Sequence, residues 1–352
     1  MKKTVLWMLI VTVSISLVVS MTLLGCKDGA AEEAIGETSG EATEEVSEEA
    51  EEVMEEATVV AEEGLSFVLA DLGAEGSLLH NLIRKGMEDA GALLGAEVLQ
   101  TIGDTAAQIA SIEAAIAGGA TGIGVNIADK DSFDGPIQAA LDAGIPVVSF
   151  NQDDEEGADG SPRLAYVGQE GVGAGYAIGK HMATFLEEGD HVVCPVEFPG
   201  MVYANQRFEG ISTALAEKGI TSEWLDAGIE SDASIIGKIQ AYLQGHPETD
   251  GVIPMGSVVT DVATIAVEEL GLLNNGVIVG GFDFSQKSAD DIKAGKSMGA
   301  IDQQGYSQGF LSVMYLYMAA IKFQTLADVN TGAALVTTDN IEQFEAVFRL
   351  VE

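Results

Sequence analysis

One feature constrains this chain more than any other. From residue 65 onward, short and nearly all-apolar runs alternate with longer stretches that are apolar on one helical face. Leu65-Ser66-Phe67-Val68-Leu69-Ala70 has the length of a strand. Residues 78–94 follow, with Leu78, Leu79, Leu82, Ile83, Met87 and Ala90 at helical spacing and Gly95 as a stop. Residues 97–102, 122–127 and 145–150 predict three more strands. Asp104 predicts the N-cap of a helix through Ala117, with Gly118-Gly119 ending it, and residues 133–143 predict another helix. Beyond residue 163 the spacing predicts strands near 164–168, 190–197, 222–226, 250–255, 276–282 and 297–302. Helices are expected near 172–187, 204–219, 232–245, 258–271, 286–294 and 305–322. Strands such as Gly251-Val252-Ile253-Pro254-Met255 are apolar on both faces, which a parallel sheet covered by helices requires. Right-handed crossovers then give two doubly wound, Rossmann-like α/β lobes. Ligands of open parallel sheets bind beyond the carboxyl ends of the strands, and two facing lobes bring both sets of ends to one cleft.

At 352 residues the chain is too long for one ordinary core. Its first part predicts export rather than fold. Lys2 and Lys3 form a positive start, residues 5–19 an apolar run, and Leu23-Leu24-Gly25-Cys26 resembles a bacterial lipobox. The expectation is a signal peptide over 1–25 and lipidation of Cys26, which would hold the protein at a bacterial membrane through its acyl chains. Residues 27–64 carry 15 acidic residues and a single basic one, Lys27, so 26–64 is read as the lipidated cysteine and a disordered acidic tether.

Charge excludes several functions. The chain has 16 Lys and Arg against 56 Asp and Glu, a net charge of −40. Nucleic-acid binding needs clustered cations and is excluded on that ground. An anionic ligand is a poor first expectation. Two cysteines cannot build a disulfide framework or a thiolate zinc site, and four histidines leave little for a metal centre. Cys194, in the run His191-Val192-Val193-Cys194-Pro195-Val196, reads as a small buried hydrophobe.

No catalytic constellation emerges. Gly171-Val172-Gly173-Ala174-Gly175 lacks the G-x-G-x-x-G spacing of a dinucleotide site and reads as helix packing beside a crossing between lobes. Residues 151–160 hold Asp153, Asp154, Glu155, Glu156 and Asp159 without the ligand order of an EF-hand, and are read as a solvated acidic loop. No G-x-S-x-G is present, and His80, His181, His191 and His246 lack companions for a triad. Neither a catalytic residue, a metal nor a cofactor is expected.

Several fragments, in order, resemble the type 1 periplasmic binding proteins for simple sugars, the ribose- and galactose-binding group of ABC importers. They are Arg84–Ala90, Ala143–Val148, Tyr166–Gln169 with Gly173–Gly175, Arg207–Ile211, Gly280–Asp283, and Ala300–Gln304 with Gly309. The resemblance spans about residues 65–345. It implies two lobes, 65–167 with 304–333 and 168–303 with 334–352, joined by three crossing strands near 168, 303 and 333. It implies a monomeric extracytoplasmic receptor that captures a monosaccharide by hinge closure and delivers it to a membrane permease. The alternatives are a polyol, an autoinducer furanose or a nucleoside as ligand, or presentation of ligand to a membrane kinase or chemoreceptor.

The resemblance also implies site positions. Arg207 and Asp283 are expected to bond ligand hydroxyls, and Gln303 to contact the sugar from a crossing strand. Asn151-Gln152 stands where the family often has Asp-Arg. Leu79 and His80 occupy the first-helix position of an aromatic, and Glu230 another aromatic position. Gly256, beside Ser257, stands where Asn is frequent. With those aromatics missing, Tyr203, Phe150, Phe284 and Tyr306 are the expected substitutes.

Overall fold

The computed structural model describes residues 64–73, 77–127, 129 and 131–351. The expected signal peptide, Cys26 and all of the acidic tether except Gly64 lie outside the described residues. Among the described residues no helix is long and apolar enough to cross a membrane.

The predicted alternation folds into parallel ladders. Strands β1 (Ser66–Leu72), β2 (Glu97–Gly103), β3 (Gly122–Val125), β4 (Val147–Asn151) and β5 (Tyr166–Gly168) join β12 (Val329–Asn330) in a six-stranded sheet. Its order is β12-β5-β4-β3-β1-β2, and every pair is parallel. Helices α1 (Leu78–Leu94) and α9 (Gly305–Ala320) bury Ile83, Met87, Val313 and Leu316 against Phe67, Leu69 and Phe150. Helices α2 (Thr105–Gly118) and α3 (Asp134–Asp142) bury Ile112 and Ile137 with Ile123 and Val125. The Asp104 side chain caps α2 by accepting from the Ala107 N–H at 2.9 Å.

A second layered half follows. It comprises α4 (Gly171–Ala183), β6 (His191–Val196), α5 (Val202–Ala216), β7 (Thr221–Asp226), α6 (Asp232–Gly245), β8 (Thr249–Val252), α7 (Ser257–Glu269) and β9 (Ile278–Val279). Then come β10 (Gly281–Phe282), α8 (Gln286–Lys293), β11 (Ala300–Asp302), β13 (Ala334–Val336) and α10 (Ile341–Glu345). Its strands form a four-stranded sheet β7-β6-β8-β9 and a three-stranded sheet β10-β11-β13. Cys194 is fully buried in the core on β6, and burial pushes its thiol pKa up.

Three details differ from expectation. The run at 276–282 is two strands split at Gly280, with β9 pairing β8 and β10 pairing β11. Pro254 has no N–H to continue the β8 ladder and lies over Gly281, where a Cβ would come 2.7 Å from the proline ring. β13 pairs antiparallel with β11, because β11 leads into a crossing while β13 leaves one. The acidic loop is tied down at Asp153, while Glu155, Glu156 and Asp159 are exposed. Arg163 is buried, with Asp153 at 2.5 Å and Asp328 at 2.6 Å. Burial alone would raise the Asp328 pKa, but the Arg163 bond holds it below the usual range.

Segments 168–169, 303–304 and 331–332 lie side by side. Thr331 donates its N–H to Gly168 O (2.7 Å) and its hydroxyl to Gln303 O (3.1 Å), and Gln169 Nε2 donates to Gly332 O (3.1 Å).

Each half contains one helix pair in backbone contact, α4 with α5 and α1 with α9. A Cβ on Gly210 would stand 2.0 Å from Val172 O, and one on Gly309 would stand 1.9 Å from Ile83 O. Gly210→Ala and Gly309→Ala should therefore each lose about 1–3 kcal/mol by overpacking. Gly237→Ala, where a Cβ meets nothing within 4 Å, should gain up to ~1 kcal/mol from helix propensity. Urea denaturation of the three variants checks the contrast.

Candidate functional site

A polar side chain directly follows or ends many of the parallel strands. These are Asp71 and Asn151 at the ends of β1 and β4, Asn126 after β3, Glu197 after β6, Asp283 after β10 and Gln303 after β11. Each strand thus spends its apolar residues in the core and delivers a polar group at its carboxyl end. Three of the four non-glycine residues with positive φ among the described residues are here: Asn151 (62°), Asp283 (67°) and Gln304 (60°). Asn and Asp tolerate this left-handed region better than other side chains, and its concentration at one place marks a site whose geometry the surroundings impose.

The first half of the cluster is built around Asp71, which is fully buried. It accepts from His80 Nδ1 (2.7 Å), Gln100 Nε2 (2.8 Å) and Asn126 Nδ2 (2.9 Å). Three donors satisfy a carboxylate that would otherwise be costly to bury. Asn126 Nδ2 also reaches Asn151 Oδ1 at 3.2 Å, while its own Oδ1 is buried without a hydrogen-bond partner. Asn151 Nδ2 donates to Gln308 Oε1 (3.0 Å) and Gln303 Oε1 (3.2 Å).

Gln303 carries the chain of bonds into the second half, where its Nε2 donates to Asp283 Oδ1. Asp283 Oδ2 lies 3.6 Å from Arg207 Nη1. The buried guanidinium donates to Met255 O (2.6 Å) and Gln169 Oε1 (3.5 Å). It lies over the Phe282 ring (4.2 Å) and the Tyr203 ring (5.2 Å). Its helix is held close to α4 by Gly175, whose absent Cβ would come 2.1 Å from Arg207 O. Glu197 shares this corner, and its Oε2 is buried without a partner.

The structure brings Arg207, Asp283, Gln303, Asn151 and His80 into one hydrogen-bonded and ion-paired series. Gly256 lies at the same corner, where a Cβ would come 2.2 Å from the Glu197 carboxylate, and Ser257 begins α7 beside it. The Gln152 amide oxygen is buried without a partner. Two expected positions fall elsewhere. Leu79 packs into the apolar core against Gly305, because the α1–α9 contact claims it. Glu230 is exposed and pairs with Lys238 at 3.3 Å, a surface bridge within one helix and its cap. Of the substitute aromatics, only Tyr203 reaches the cluster. Phe150 is core, Phe284 stacks on Phe348 at 5.1 Å, and the Tyr306 hydroxyl bonds Asp89 at 3.0 Å.

Asp71, Asn126, Gln308 and Glu197 were not singled out from sequence. For Asp71, Asn126 and Glu197 the signal was available, a lone polar residue closing an apolar strand run. Gln308 sits inside a helix and carries none.

Burial pushes the Glu197 carboxyl from 4.5 up to about 7. A raised folded-state pKa means stability that is present at low pH and is lost as pH climbs from about 4.5 through 7. Glu197→Gln should raise the melting temperature at pH 8 and leave it nearly unchanged at pH 4.5, as read by scanning calorimetry.

Among the described residues no group of three or more His, Cys, Asp and Glu is placed to hold a metal ion. Comparison with known proteins bears on the arrangement at this point. A model of the periplasmic binding protein domain matches residues 76–324. The xylose/arabinose-binding protein of Sulfolobus acidocaldarius is 29% identical over 274 residues, covering 74% of this chain and 68% of that one. A carbohydrate transporter protein of Acidothermus cellulolyticus, solved in complex with myo-inositol, superposes with a TM-score of 0.71. It is 26% identical and covers 82% of this chain and 99% of that chain. An ABC transporter periplasmic solute binding protein of Actinobacillus succinogenes, solved with bound D-allose, gives a TM-score of 0.72 over 79% of this chain and 99% of that one. At 21% identity it speaks for the fold alone. With its two layered α/β halves and a polar cluster where the strand ends meet, the chain belongs to the periplasmic binding protein family, whose members bind solutes outside the cytoplasm rather than transform them.

Proposed function

We propose that this protein is the solute receptor of an ABC importer, and that it captures a neutral monosaccharide or cyclitol between its two lobes and passes it to a membrane permease. The observation that carries this reading is the series Asp71–Asn126–Asn151–Gln303–Asp283–Arg207, which runs from one half to the other through Gln303. Amides, carboxylates and a guanidinium offer forked donors and acceptors, the chemistry that reads neighbouring hydroxyls. Several links are at 3.2 Å or longer, so ligand hydroxyls can replace them without large loss. The relatives named for xylose and arabinose, and the neighbour solved with myo-inositol, agree with a polyhydroxylated ligand.

The lobes in this reading are 65–167 with 304–333 and 168–303 with 334–352. The hinge is the three hydrogen-bonded crossings at 168–169, 303–304 and 331–332. Closure pairs the Arg207 and Asp283 side of the cleft with the Asn126 and Asn151 side around the ligand, and a ligand that bonds both sides favours the closed form. The receptor works as a monomer, tethered by a lipid on Cys26.

Arg207→Ala and Asp283→Ala should each lose about 2–4 kcal/mol of sugar affinity, because each leaves a buried charged partner unpaired. Titration calorimetry with D-xylose, L-arabinose, D-allose and myo-inositol tests this, and wild-type affinity in both variants would displace the site. In a thermal-shift panel, a ligand at 100 times its Kd should add about 2.7 kcal/mol. Expressed with its leader, the wild type should partition into a detergent phase and Cys26→Ala should not.

A further inference from the structure

Glu197 has no part in the hydrogen-bonded series above, yet it is built into the same corner. It follows β6 directly and is 7% exposed. Three elements press on its carboxyl. From α5 the Tyr203 hydroxyl hydrogen-bonds the carboxyl and the Arg207 guanidinium faces it, and from the turn after β10 comes the Asp283 carboxylate. From the start of α7 the Val258 N–H bonds to it. Gly256 is the reason it fits, since a Cβ there would stand 2.2 Å from Oε1 and 2.4 Å from Oε2.

Other buried carboxylates meet protein donors, and of these Asp154, in the loop after β4, also keeps one oxygen, Oδ2, without a partner. Asp71 has three, and Asp291 has the Thr264 hydroxyl and Lys287. Glu197 Oε2 has none. A carboxylate oxygen held out of water without a donor is expensive, and its persistence beside Arg207 and Asp283 points to a donor that arrives from outside the chain.

We propose that Glu197 is a further ligand-binding residue of the cleft, whose Oε2 accepts a hydrogen bond from a ligand hydroxyl and selects for sugars or cyclitols that present one at this corner. The inference rests on the receptor reading above and adds a consequence to it. A hydroxyl donor favours the ionised carboxylate over the protonated one. Burial holds the unliganded group near neutrality, at about 7, so ligand uptake releases a proton there. Of the facing groups, Arg207 is a guanidinium, and burial pushes Tyr203 further from titration. Asp283 is the remaining facing acid, and a Glu197 variant separates the two.

The test is titration calorimetry of wild type and Glu197→Gln with D-xylose, L-arabinose, D-allose and myo-inositol at pH 6 and pH 8. The expected wild-type result is affinity that rises up to about tenfold from pH 6 to pH 8 for the bound sugar. Glu197→Gln should bind that sugar about tenfold more weakly at pH 8, with no pH dependence. Its melting temperature, expected to rise at pH 8, separates lost affinity from misfolding. If wild type binds a sugar and Glu197→Gln matches it in affinity and pH profile, Glu197 is no ligand residue and the receptor reading stands. If wild type binds none of the four, the receptor reading fails and this inference fails with it.

Discussion

The amide of Gln303 is the bond on which the site depends. Its oxygen accepts from Asn151 and its nitrogen donates to Asp283, so one side chain on a crossing segment satisfies a polar group from each half. Both partners sit in left-handed backbone, with φ of 62° and 67°. That conformation costs of order 1 kcal/mol or more at each residue, and the bonds to Gln303 help to hold it. Asn151 also meets Asn126 and Gln308, and Asp283 also meets Arg207, so each end belongs to a wider network. The polar series is therefore cooperative, and its members owe their orientation to one another.

The same division of labour repeats in the two halves. In each, a pair of helices meets at glycines close enough for backbone to touch backbone, α1 with α9 and α4 with α5. The first contact draws Leu79 into the core, and the second fixes the helix that carries Arg207. Close helix packing in this sense positions the polar cluster. It sets where a long and flexible guanidinium starts, and Phe282 and Tyr203 then hold its plane. Aromatic residues at this corner thus support the cation. Arg163, clamped between Asp153 and Asp328, ties the loop after β4 to the segment before β12 in a comparable way.

Much of the architecture was legible in the chain. Apolar runs of strand length and periodic helices are local patterns, and α1 and α6 occupy the expected spans 78–94 and 232–245. Asp104 is the cap that its position implied. Arg207, Asp283, Gln303 and Asn151 were marked by fragments whose residue types repeat across a family, and the fold places them in one series. Non-local features escaped. The short β12 and β13 have no pattern of their own and are strands only because β5 and β11 are there to pair with them. Asp153 looked solvated because nothing nearby in sequence announces that Arg163 is shared between it and Asp328.

Sequence by itself determined that this chain makes two parallel α/β layers and carries too much negative charge for a nucleic-acid partner. Periodicity and charge are properties of a chain before it folds. Only the tertiary structure decided which polar ends meet. Leu79 and Glu230 were separated from the site, while Asp71, Asn126 and Glu197 were brought into it. The reason is that hydrogen-bond satisfaction is a property of the assembled neighbourhood. A glutamate after a strand is one of 56 acidic residues until a glycine at 256 and an arginine at 207 close around it.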